Sequence, residues 1–141
     1  MTTPGHIRLE FVTPERAIVH DDVDELQLPG EDGHFGVLPG HAPLLAALRT
    51  GEMWYRKGSD RRYAFIAGGF AEVVGDRVSV LAPVAERAED IDLARAEAAK
   101  RRAEERLAKP VADIDFERAR IAMMRAIARL QVSKQARPPR S

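Results

Sequence analysis

The sequence predicts a β-rich N-terminal part followed by a helical C-terminal part, on three observations that all change near residue 85. All ten glycines precede that point, as do seven of the eight aromatic residues. After it glycine is absent, and alanine recurs every few positions among Glu, Arg and Lys. Glycine, aromatic and β-branched residues favour turns and strands, whereas Ala, Glu, Arg and Lys are the strongest helix formers. Charge divides at the same place: 8 basic against 12 acidic residues up to residue 85, a net −4, and 14 against 10 from Glu86 onward, a net +4. The overall zero is a cancellation between an acidic β part and a basic helical part.

Within the first part, Ile7, Leu9 and Phe11 alternate with Arg8 and Glu10, the period of a half-buried strand. Val23, Leu26 and Leu28 follow, with acidic residues between them, until Pro29-Gly30 stops the run. Short apolar runs then appear at Phe35 to Leu38, Leu44 to Leu48, Met53 to Tyr55, Tyr63 to Ala67, Phe70 to Val74 and Val78 to Leu81. Gly40, Gly51, Gly58-Ser59-Asp60, Gly68-Gly69 and Gly75-Asp76 separate them. Many short strands punctuated in this way indicate a sandwich or barrel and not βαβ units.

The second part reads as two helices. Asp92 is placed to cap the first, with Ile91 before it and Ala96 as the partner of a modest hydrophobic staple. Pro110 ends that helix near Lys109, Asp113 or Asp115 caps the next, and the second helix runs to about Val132. The basic tail from about residue 134, with Pro138-Pro139, reads as frayed. So short a break favours an antiparallel hairpin. The pattern Ile-Asp-x-x-Arg-Ala occurs at both helix starts, at Ile91 to Ala96 and at Ile114 to Ala119, and arginines follow at matching offsets. The expected seam is Ala96, Ala99, Ala103 and Leu107 against Phe116, Ala119, Met123, Ala126 and Leu130. At about 0.8 kcal/mol per buried methylene-sized group, an alanine seam holds by only a few kcal/mol after ordering costs. It suits an element that docks and undocks. The domains read as residues 1–85 and 86–141.

Composition excludes much chemistry. With no cysteine, a disulfide scaffold, an iron–sulfur cluster, a thiolate zinc site and a Cys nucleophile are all ruled out. Balanced charge argues against a dedicated nucleic-acid binder, and 45% hydrophobic residues argue against disorder. No run approaches the roughly 18 apolar residues of a membrane span, and the start lacks a secretory signal, so the expectation is a soluble cytoplasmic protein that meets a membrane only through a partner. Glycines 30, 33, 36 and 40 lack the order of a phosphate loop, and Lys57-Gly58-Ser59 reverses it. His34 and His41 are two imidazoles, short of a tetrahedral zinc site. Ser59 and Ser79 have no nucleophile-elbow context. Helical arginines ordinarily make solvated faces with Glu, here as Glu97 with Arg101 and Glu105 with Lys109. The sharper alternative is that several converge into a site for a phosphate-rich anion.

Gly33-His34-Phe35-Gly36-Val37-Leu38-Pro39-Gly40-His41-Ala42-Pro43-Leu44-Leu45, Gly68-Gly69-Phe70-Ala71-Glu72-Val73 and Ile91-Asp92-x-x-Arg95-Ala96, in this order over nearly the whole chain, resemble the epsilon subunits of bacterial F-type ATP synthase. The resemblance implies a ten-stranded β-sandwich followed by a two-helix hairpin. It also implies a non-catalytic central-stalk role bound to the gamma subunit and the c ring, at the cytoplasmic face of the bacterial inner membrane as part of the F1 sector. The hairpin would extend towards the alpha and beta subunits to inhibit ATP hydrolysis. Some family members bind ATP between the folded helices without hydrolysing it, and no other cofactor is implied. The matching positions here are Glu86, Ile91, Asp92, Arg95, Ala96, Arg102, Arg125 and Arg129. Glu31, Asp32, Gly33, His34, Phe35, Gly36, Pro39 and His41 are the candidate contacts with the c ring or gamma. A different class of reading, a free-standing ATP or small-molecule sensor with a ligand-gated hairpin, would show ligand effects without any rotor partner.

Overall fold

Alternation decides the strands. In β1 (Ile7–Val12) Ile7, Leu9 and Phe11 are buried while Arg8, Glu10 and Val12 are not; the same period runs through residues 25–28 of β3 (Glu25–Gly30) and through β4 (Gly33–Val37), whereas β2 (Ala17–Val23) buries Ile18, Val19 and Val23. β5 (Leu44–Leu48), β6 (Gly51–Lys57), β7 (Asp60–Ile66), β8 (Gly69–Val74), β9 (Arg77–Leu81) and β10 (Ala85–Arg87) complete the set. A 3₁₀ turn, Ala88–Asp90, leads to α1 (Leu93–Leu107) and α2 (Asp113–Ser133). The computed structural model describes residues 5–109 and 112–136, and the side chains of all of these except 113 and 114. The break at Pro110 and the end of the tail lie outside the described residues.

The strands are ordered β10-β7-β6-β3-β5-β8-β9-β1-β2, with β4 on the free side of β3. This sheet folds over itself where β3 meets β5 through a single pair, Gly30 with Leu48. One layer is therefore β10-β7-β6-β3-β4 and the other β5-β8-β9-β1-β2, the sandwich expected from the strand pattern. Every pairing is antiparallel except β1 with β9. Leu9, Phe11, Val23, Leu26, Leu28, Met53, Ile66 and Val80 fill the space between the layers. The run Val23 to Leu28 is two strands and not one, broken at Asp24, whose carboxylate accepts the Gly58 N–H at 2.7 Å.

The Gly68-Gly69 pair has a steric reason. Both residues have positive φ, +79° and +113°, and a Cβ on Gly69 would lie 2.2 Å from the Leu81 carbonyl oxygen on the neighbouring strand. Only glycine fits there.

A second, smaller core lies outside the first layer. Phe65, Ala67, Ala88, Ile91, Ala96 and Val132 are buried together, with Tyr63, Ala128 and Leu130 packed beside them. The hairpin thus docks on the outer face of β7 and β6. In α1, Asp92 caps as expected, its carboxylate accepting the Arg95 N–H at 3.1 Å. In α2 the expected cap is displaced: Ala112 is the N-cap, without a side-chain bond, so neither Asp113 nor Asp115 caps. The seam keeps Ala96, Ala103, Ala119 and Ala126 buried, but Phe116, expected to face α1, is 44% exposed. Among the described residues the ion pairs within the helices are Lys100 with Glu104 and Glu117 with Arg120, in place of the two expected.

Glu52 on β6 lies directly across from Phe65 of β7, which in turn lies across from Glu86 of β10. Glu52 is half-buried without an ion-pair partner among the described residues, and burial raises its carboxyl above the ordinary range, with His34 opposing.

Two outcomes follow from these placements. Gly69→Ala should destabilise the chain by roughly 3 kcal/mol or more in urea unfolding, backbone strain plus a clash. Gly58→Ala, with positive φ but open space, should cost only about 1 kcal/mol; equal costs would contradict the steric account. A carboxyl raised in the folded chain contributes its stability fully below the ordinary glutamate range, and loses it as pH rises through the raised value. Glu52→Gln should therefore be slightly more stable than the parent at pH 7, by less than about 1 kcal/mol. That gain should vanish below about pH 4, as measured by thermal unfolding at both pH values.

Candidate functional site

A groove of about 360 Å³ lies between the outer face of the sandwich and the helices. Phe65 and Val84 form its apolar floor on the sandwich side, with Ala99 of α1 and Ile121, Ala122 and Ala126 of α2 opposite. Four charged residues line it: Glu86 from β10 and Arg118, Arg125 and Arg129 from α2. Spacings of seven and four residues put the three arginines on one helical face. Glu86 reaches the groove because β10 continues the sheet past residue 85, so it stands on a strand and not on the hairpin.

Arg129 Nε donates to Glu86 Oε1 at 2.7 Å and Nη2 donates to Oε2 at 3.2 Å. The two side chains are only 21% and 24% exposed. This is the two-pronged guanidinium–carboxylate geometry that makes the strong charge-assisted pairs. Arg118 and Arg125 have no ion-pair partner among the described residues. Three guanidiniums against one carboxylate leave the groove positive, over an aromatic and aliphatic floor. Such a groove suits an anion that also carries a flat or apolar part.

The sequence candidates separate here. Glu86, Arg125 and Arg129 come together in the groove. Ile91 and Ala96 are packing residues of the docking core. Asp92 is engaged as a helix cap. Arg95 and Arg102 are exposed and do not line the groove. Arg118, part of the helical arginine pattern but not among the candidates, does line it.

A second cleft, about 480 Å³, lies beside Tyr55, Tyr63, Lys57, Arg62 and Arg87. Its cations are already matched. Lys57 bonds Asp21 at 3.0 Å, Arg62 bonds Asp60 at 2.9 Å, and Arg87 bonds Asp90 at 3.2 Å. The Lys57 bond holds the Asp21 carboxyl below its usual range, against some desolvation, and burial raises the Tyr55 phenol, with Arg62 and Arg87 opposing. A ligand would have to break these pairs, so the cleft ties the 3₁₀ turn to the sandwich.

The glycine-rich candidates form the β3–β4 hairpin and the turn after it. Glu31, Asp32, His34, Gly36 and Pro39 are exposed, whereas Gly33, Phe35 and His41 are partly covered. Phe35 packs against the main core. Sequence reasoning passed over a different surface. On the outer face of the second layer, Ala47, Phe70 and Leu81 stand side by side across β5, β8 and β9, with Leu45 on the same strand face as Ala47. Leu45, Phe70 and Leu81 are 70%, 57% and 56% exposed. The signal was present: Ala71 and Val73 take the inward phase of β8, which forces Phe70 outward.

Comparison with known proteins agrees with this architecture. The model of the ATP synthase delta/epsilon chain β-sandwich domain matches residues 6–88, and that of the delta/epsilon chain long α-helix domain matches residues 89–134. The ATP synthase epsilon chain of Syntrophobacter fumaroxidans is 49% identical over 129 residues, covering 92% of this chain and 96% of that relative. The epsilon chain of Solibacter usitatus is 48% identical over 127 residues, 90% of this chain and 95% of the relative. Among solved structures, a chain of the Euglena gracilis mitochondrial ATP synthase OSCP/F1/c-ring assembly shares the fold with a TM-score of 0.79 at 23% identity, over 91% of this chain and 81% of that one. No helix of the described residues is long and apolar enough to cross a membrane. The chain belongs to the delta/epsilon chain family of ATP synthase.

Proposed function

We propose that the chain is the rotor subunit that couples the catalytic head of a bacterial F-type ATP synthase to its proton-driven c ring. The sandwich binds gamma and the c ring, and the hairpin restrains ATP hydrolysis when it extends towards the alpha and beta subunits. On this reading it works at the cytoplasmic face of the inner membrane, held there through the complex. The observation that carries the proposal is the match to epsilon chains over nine-tenths of the chain at about half identity. Two surface features support it. The exposed patch of Leu45, Phe70 and Leu81 is the kind of apolar surface that marks a protein interface, and the basic hairpin suits an acidic surface in the catalytic head.

The groove adds a regulatory nucleotide to this reading. Arg118 and Arg125, without an ion-pair partner among the described residues, would take the phosphates of ATP, and the exposed Val84 offers an apolar surface for its base. Binding there without hydrolysis favours the folded hairpin, by an amount set by the ratio of free ATP to Kd.

Two measurements test these roles. Expressed with the rest of the enzyme, Phe70→Glu should lose copurification with gamma and the c ring. A chain ending before Ile91 should still assemble and should hydrolyse ATP faster than the parent complex; retention by Phe70→Glu, or loss of assembly on truncation, would contradict the division of labour. In calorimetry on the full chain, Arg125→Ala should weaken ATP binding by at least about tenfold, the loss of a charge-assisted hydrogen bond. Unchanged affinity, or no binding at millimolar ATP, would remove the nucleotide site.

A further inference from the structure

We infer that the Glu86–Arg129 pair is the latch that holds the hairpin on the sandwich without any ligand, and that the pivot of the hairpin is Ile91–Asp92. The pair joins β10 to α2 across 43 positions of sequence. It is the one ion pair between a sandwich strand and α1 or α2 among the described residues. It sits at the edge of the docking core: Glu86 stands beside Phe65 in register, and Arg129 lies one helical turn before Val132, which is fully buried. The apolar part of that core is small, with three of its six buried residues being alanine. A bidentate pair largely shielded from water therefore decides much of the docking equilibrium, and salt screens it less than it would an exposed pair.

The pivot follows from what remains fixed on either side. Ala88 is buried, Glu89 lies 3.7 Å from Arg62, and Asp90 is held by Arg87 at 3.2 Å and by Arg16 at 3.6 Å. The 3₁₀ turn is thus part of the sandwich. α1 begins at Leu93, and between the two anchored elements Ile91 and Asp92 have extended backbone. Rotation about the Ile91 torsions and the Asp92 φ frees the helices without breaking a strand pairing, the bond from the Ala96 N–H to the Asp92 carbonyl or the Asp92 cap.

This assignment gives Arg129 and Glu86 a role separate from ligand binding. Arg118 and Arg125 remain to receive an anion while the latch stays closed, so ligand and latch add to one another.

The test uses the full chain with neither nucleotide nor partner, so it stands whatever the outcome of the ATP titration. The single tryptophan, Trp54, lies on β6 directly opposite Tyr63, which packs into the docking core. Its emission reports the cover over that face. Glu86→Gln and Arg129→Gln should each shift Trp54 emission and raise the tryptic cleavage rate at Arg95 and Arg102 about tenfold, the loss of a charge-assisted bond. Cleavage at Arg87 and the urea midpoint of the sandwich should stay at the parent's values. The exchanged pair Glu86→Arg with Arg129→Glu should restore docking. Parent-like emission and cleavage in both single variants, or an exchanged pair no better than the singles, would overturn the latch. Cleavage at Arg87 rising together with that at Arg95 would overturn the pivot, and a lowered sandwich midpoint would show that Glu86 supports the sheet instead.

Discussion

Strand β7 has to serve two cores at once, and the rest of the molecule is arranged around that constraint. Ala64 and Ile66 point into the sandwich, while Phe65 and Ala67 point out and are buried under the hairpin. The outward face would be an exposed apolar strip if the hairpin were absent. The inner core, with its large side chains closed between two layers, holds the sandwich together whether or not the strip is covered. Half of the six buried residues of the outer core are alanine, so its cover is held by little apolar area. Such a division separates a fixed body from a movable one in a single chain, since an element that switches must have its two states within a few kcal/mol.

The balance of charge acquires a structural meaning in the same place. The acidic sandwich and the basic hairpin meet directly at Glu86 and Arg129, and most of the remaining charge on each part is paired internally or faces solvent. Asp21, Asp24, Glu25 and Asp60 are matched by Lys57, Arg56 and Arg62 within the sheet. Arg118 and Arg125, the α2 arginines without an ion-pair partner among the described residues, both line the groove. A surplus of one sign is thus kept where an anionic partner or ligand can use it.

Much of the fold was legible because local chemistry set it. The two-residue period of β1, the run Tyr63 to Ala67 and the cap at Asp92 follow from side chains interacting within a few positions. A run apolar on both phases is the mark of a strand buried on both faces, and β7 fits it. The second copy of Ile-Asp-x-x-Arg-Ala shows where such reading stops. At the first copy Ile91 is buried in the docking core with Phe65, and Asp92 caps the helix. At the second copy Phe116 is exposed and α2 begins earlier, from Ala112. The site divided in the same way. Arginine spacing placed Arg118, Arg125 and Arg129 on one face, but which of them would meet Glu86 depended on how the hairpin lies across β7 and β10. That docking arises from contacts tens of residues apart, and no local pattern encodes it.

Native-state hydrogen exchange on the isolated chain tests the central claim, that one body moves while the other stays fixed. The amides of α1 and α2 should exchange through an opening several kcal/mol cheaper than global unfolding, while those of Leu9, Leu28 and Val80 exchange only with the global transition. A single opening free energy shared by helices and core strands would contradict the account, because the hairpin would then be an inseparable part of one cooperative unit.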